Sequence, residues 1–178
     1  MPLTLSGTTG ASLAAQATAL VNPPTLGTAV ATTSGTFIDF TSIPSWVKRI
    51  TTMFNGVSTS GTSATIIQMG SGSIQATGYL GAADVFVSGA TNTTANMSTG
   101  FLMCTDSAAT YTRYGTATLT HMGSNIWTYT NINGHTEANR IGFAAGSATF
   151  SGAVDRIRLT TVAGTDTFDA GSVNILYE

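Results

Sequence analysis

Between residues 154 and 161 the chain alternates, with Ile157 and Leu159 on one side and Arg156 and Arg158 on the other. Period two is the mark of a strand with one buried and one wetted face. Turn chemistry follows at Ala163, Gly164, Thr165 and Asp166. Asp169, Ala170 and Gly171 read as a second break, and residues 172–178 as a further strand. A chain end frays unless it is tied into a sheet, so this end is expected to be a structural element.

The same grammar runs through the whole body. Twelve strands are predicted, over 28–33, 36–40, 47–54, 64–69, 74–79, 85–87, 101–104, 111–122, 126–130, 141–144, 154–161 and 173–177. Turn signals fall between them at Asn55-Gly56, Ser60-Gly61, Ser88-Gly89, Gly123-Ser124-Asn125 and Asn133-Gly134. The run from Met122 to Ile126 reads as a hairpin joining two long strands. Many short strands at this spacing imply an all-β sandwich, and their number suits a jelly-roll-like arrangement of two sheets. No helical stripe interrupts residues 27–178, which form one β-sandwich domain behind an arm and linker over 1–26. Thr-Phe followed by Val-x-Arg-Ile occurs twice, at Phe37 with Val47, and at Phe150 with Val154. That echo marks either two related strands of one sheet system or a coincidence in a Thr-rich chain.

Charged residues make up 8% of the chain, against about 25% in ordinary soluble domains. With 42% hydrophobic residues, this is a composition for order, since disorder goes with high charge and low hydrophobicity. The hydroxyls and amides that replace the charges suit strand faces and turns. They also let copies sit together without repulsion. Net charge is −2 and the densest basic spots are Lys48-Arg49 and Arg156 with Arg158, too few for a nucleic-acid stripe. No stretch approaches the about 20 apolar residues of a membrane-spanning helix, so no membrane insertion is expected. The single cysteine, Cys104, lies in an apolar run and is expected to be a buried structural thiol.

Residues 1–24 carry no charge and end in Pro23-Pro24. The basic segment that opens a signal peptide is missing. A short Ala-rich helix over 11–21 would be marginal alone. Leu3, Leu5, Leu13, Leu20 and Val21 therefore read as the apolar contacts of an attachment arm to a partner protein, with a floppy leader as the plain alternative.

Catalytic groups are thin. His135, Thr136 and Glu137 do not make a metal site, which needs three or four ligands. Asp166 and Asp169 invite comparison with a hydrolytic carboxylate pair, but they flank a turn where Asp is common for local reasons. No enzymatic role, metal or cofactor is expected. Trp127 and Tyr129 share one face of a strand. Core is the preferred reading of that face. If it stands exposed, it offers a stacking platform for the sugar of a host-surface glycan, with Asn133, His135 and Glu137 in the following loop, over 131–139, as hydrogen-bonding groups.

The stretches 35–50 (GTFIDFTSIPSWVKRI), 53–58 (MFNGVS), 155–161 (DRIRLTT) and 164–178 (GTDTFDAGSVNILYE) resemble a domain at the C-terminal end of tailed-bacteriophage tail-fibre and related virion proteins. The resemblance spans about residues 27–178. It implies a virion structural protein, most simply a tail-fibre component that contributes to host recognition, carried on the extracellular particle after assembly in the host cytoplasm. A capsid decoration or cement protein that stabilises the head is the alternative. Fibre-like proteins of this kind are typically trimeric, so a homotrimer is expected, with the C-terminal strand at or near the threefold contact and other virion proteins bound through the arm.

Overall fold

A computed structural model describes residues 4–6, 10–12, 22–89, 91–105, 107–136 and 139–178. The strands in chain order are β1 (Thr4–Ser6), β2 (Gly10–Ser12), β3 (Thr25–Leu26), β4 (Val30–Ala31), β5 (Phe37–Phe40) and β6 (Arg49–Thr59). Then come β7 (Thr65–Ser71), β8 (Ser73–Ile74), β9 (Tyr79–Val87), β10 (Thr93–Asn96) and β11 (Phe101–Leu102). The last five are β12 (Arg113–Gly123), β13 (Ile126–His135), β14 (Arg140–Thr149), β15 (Arg156–Thr161) and β16 (Phe168–Tyr177). Among the described residues there is no helix.

The body is an all-β sandwich of antiparallel sheets, one of nine strands and one of five. The large sheet runs β10-β9-β14-β13-β12-β6-β16-β3, with β4 also on β16. The small sheet runs β11-β7-β15-β5, with β8 on β7. β1 and β2 pair separately, with Leu5 opposite Ala11; Leu3, Leu13, Leu20 and Val21 of the predicted arm, and the side chain of Leu5, lie outside the described residues. Because Thr25 and Leu26 pair with Tyr177 and Leu176, the sandwich begins before residue 27.

Alternation explains the core. Ile50 and Phe54 of β6, Leu119 of β12, Tyr129 of β13 and Val173 and Ile175 of β16 point inward from the large sheet, and Ile157 and Leu159 of β15 belong to the same buried cluster from the small one. Phe101 is held between the sheets by two rings. It stacks on Tyr129 at 4.6 Å and meets Tyr79 edge-on at 4.7 Å. Burial pushes the Tyr79 phenol up to about 12, and its hydroxyl sits 2.9 Å from the Gln75 carbonyl, to which it donates. The two Val-x-Arg-Ile echoes fall in opposite sheets, β6 and β15, and each buries its isoleucine against the shared core; they are not strands of one sheet.

Three of the turn signals, Ser60-Gly61, Ser88-Gly89 and Ser124-Asn125, fall between strands as expected. The hairpin between β12 and β13 forms as expected, with Ser124 and Asn125 both at positive φ (49° and 58°), the two-residue turn that matches strand twist. Asn55-Gly56 instead lies within β6, and Asp169-Ala-Gly171 within β16. There the register shifts between Phe168 and Ala170 and again between Ala170 and Ser172. Gly56 (φ 67°) and Gly171 (φ 91°) face each other across these irregularities. A Cβ on Gly171 would lie 2.2 Å from the Gly56 carbonyl oxygen. Left-handed backbone here serves a bulge, which adds a residue to a strand and bends it, and not a chain reversal.

The C-terminal strand is fastened at its end. The Glu178 carbonyl accepts from the Lys48 and Arg49 amides at 2.7 and 2.8 Å, and Arg49 pairs with the Glu178 carboxylate. In the small sheet, Arg158 grips Asp39 with two hydrogen bonds of 2.7 Å each.

Candidate functional site: the outer face of the large sheet

β13 continues to His135, beyond the 126–130 run predicted for it, so Asn133-Gly134 makes no turn and residues 131–135 are strand and not loop. Period two then turns Trp127, Tyr129, Asn131, Asn133 and His135 inward, and all five are buried. Trp127 packs on His121 at 5.3 Å between ring centres, and Tyr129 donates to the Leu102 carbonyl at 3.0 Å. The core reading of the Trp127 and Tyr129 face therefore holds, and burial removes both rings, Asn133 and His135 from any surface that a sugar could reach. Glu137 lies outside the described residues.

What these polar groups do is hold a neighbouring segment. The side-chain amides of Asn131 and Asn133 both donate to the Met103 carbonyl, at 2.6 and 2.9 Å. His135 Nε2 donates to the Asn133 side-chain oxygen at 2.8 Å, which assigns the proton to that nitrogen. The fully buried Arg113 donates from Nη2 to the Ser107 hydroxyl at 2.6 Å. Cys104 is buried, as expected, with Sγ 3.7 Å from His135 Nε2. Burial pushes its thiol up, against the pull of the Arg113 charge. A thiol held protonated is a poor nucleophile. Asp166 accepts from the Ser63 amide at 2.9 Å, a bond to a segment 103 residues away in sequence and not a local turn bond, and among the described residues no group of three metal-ligating side chains gathers.

The alternate residues of the same strands build a different surface. Cross-strand register sets Tyr114, Gly134, Ile141 and Phe86 in one row across β12, β13, β14 and β9. The next row holds Thr116, Ile132, Phe143, Asp84 and, on β10, Thr94. The row after that is small: Thr118, Thr130, Ala145 and Ala82. Large apolar side chains stand out at one end. Ile132 is 66% exposed, Phe86 55%, Ile141 52%, Phe143 44% and Tyr114 41%. The small residues beside them leave a hollow of about 620 Å³ with Ile132 and Phe143 on its lining.

Asp84 is the one charged side chain among those three rows. Its Oδ1 accepts from the Val85 amide at 2.6 Å and its Oδ2 from the Thr94 hydroxyl at 3.2 Å. The arrangement can bury apolar surface and trade hydroxyl hydrogen bonds. It offers no second carboxylate or imidazole beside Asp84 to share proton transfer. Sequence reasoning missed this face because Ile132 fell in the stretch taken for a loop and residues 80–84 carry little apolar weight. The signal was the alternation of 126–135 itself, which places an isoleucine on the face opposite the aromatics. No protein-family model, curated protein or solved structure matches this chain.

Proposed function

We propose that this protein is a structural component of a bacteriophage virion, a tail-fibre element that works by contact with its neighbours and with the host surface. The observation that carries the reading is the uncovered apolar face of the large sheet in a chain with 8% charged residues. Contiguous exposed apolar patches of this kind mark interaction surfaces. The sequence resemblance to tail-fibre domains points to the particle. The stretches that carry it lie together: β6 pairs with β16, and Asp39 of β5 binds Arg158 of β15. The reading includes a homotrimer, and attachment to the particle through the N-terminal arm, residues 1–24.

Counting copies of the chain in purified particles tests it. A few to tens of copies are expected for a tail component, whereas hundreds would move the protein to the head as a decoration protein. Its absence from particles would end the virion reading. In the same preparation, protein lacking residues 1–21 should stay folded and fail to incorporate. Incorporation at the normal copy number would shift attachment to the sandwich.

A further inference from the structure

We infer that the outer face of β12, β13, β14 and β9 is where a second copy of this chain docks, with the apolar ridge of one copy seated in the hollow of the next. The inference rests on the reading that the chain is an assembling component, and it names the surface. That surface is centred on β13 and β14, away from the C-terminal strand β16, which lies beyond β12 and β6 in the sheet.

Size comes first. Four strands of nine to eleven residues, about 4.8 Å apart and rising about 3.4 Å per residue, cover roughly 19 by 34 Å. That is a projected area of roughly 650 Å², and side-chain relief raises it towards the roughly 800 Å² per partner of a stable interface. Shape comes second. The ridge formed by Phe86, Ile141 and Tyr114 with Ile132 and Phe143 of the next row projects beside a floor of Ala82, Ala145 and Thr130, so the face carries both a knob and a hole. Charge comes third. With Asp84 as the sole charged side chain of its three rows, and that carboxylate already accepting from Val85 and Thr94, the face carries too little charge to select a strongly basic or acidic partner. The ridge of another copy fits this hollow head to tail, the kind of contact that can close a ring of three, and threonine hydroxyls can exchange hydrogen bonds across it.

Light scattering of the full chain at micromolar concentration, with three variants, tests the inference. The unaltered protein should be a multimer. Phe143→Asp should weaken self-association at least a hundredfold and run as a folded monomer, because Phe143 already faces solvent in the single chain. Leu26→Asp, at a residue still more exposed than Phe143 but at the far edge of the sheet on β3, should remain a multimer. Thr130→Cys supplies a second readout that does not depend on Phe143→Asp folding. Cys104 is buried, so maleimide labelling reports the new thiol, which should react at least tenfold more slowly in the multimer than after dilution below the association range. A multimer that survives Phe143→Asp, or a Thr130→Cys thiol that labels at the same rate in the multimer, overturns this surface while leaving assembly intact. A monomeric unaltered protein overturns both the surface and the assembly reading.

Discussion

Phe101→Ala is expected to cost about 3–5 kcal/mol of stability, the range for an aromatic removed from a packed core. Phe101 has no solvent exposure and is clamped by Tyr129 on one face and Tyr79 at its edge. Both neighbours are also tethered by their hydroxyls, Tyr129 to the Leu102 carbonyl and Tyr79 to the backbone of residues 69 and 75. Tethered rings cannot collapse into the space left behind, which places the loss towards the top of the range. Against a typical total of about 5–15 kcal/mol, the variant should lose between roughly a third and all of its stability at 25 °C. Urea denaturation followed by tryptophan fluorescence gives the number, and a loss under about 1.5 kcal/mol would show that the two sheets close without this ring.

Gly171→Ala is the second large effect. The position needs positive φ, and its Cβ would sit 2.2 Å from the Gly56 oxygen, 2.4 Å from the Gly56 carbonyl carbon and 2.6 Å from the Val57 nitrogen. All three are backbone atoms, so no side chain can swing aside. The left-handed conformation alone costs an L-residue about 1–2 kcal/mol, and parting β6 from β16 adds to it. We expect about 3 kcal/mol in all. Gly72→Ala separates the two contributions, because Gly72 has φ 74° and nothing within 4 Å of its added Cβ. It should cost about 1–2 kcal/mol, the conformational part alone. Equal losses for the two variants would mean that the bulge yields freely.

These two residues also show where the sequence was legible. Phe101 falls in a predicted strand, and the alternation at 154–161 announced the faces of β15 correctly. Period two survives translation into structure because successive side chains point to opposite faces, and a slip of one residue would expose the whole buried set. Asn55-Gly56 and Asp169-Ala-Gly171 were misleading because a residue with positive φ serves a turn and a bulge equally well. Only the partner strand decides between them, and a partner more than a hundred residues away in sequence leaves no local trace. The length of β13 was lost the same way. Asn131, Asn133 and His135 look like loop residues, yet they point inward, the two asparagines donating to the Met103 carbonyl and His135 to Asn133. With that strand cut short, Ile132 lost its place beside Phe143 and the apolar face went unseen. Trp127 and Tyr129 stood out in the sequence for size, while the surface lay on the alternate residues.

The central claim is that this chain is built to assemble with copies of itself. The mass of the full-length protein under native electrospray conditions, from micromolar solution, tests it most directly. The account predicts a dominant species of three times the 18.2 kDa of one chain. A spectrum of monomer alone across the micromolar range would contradict it.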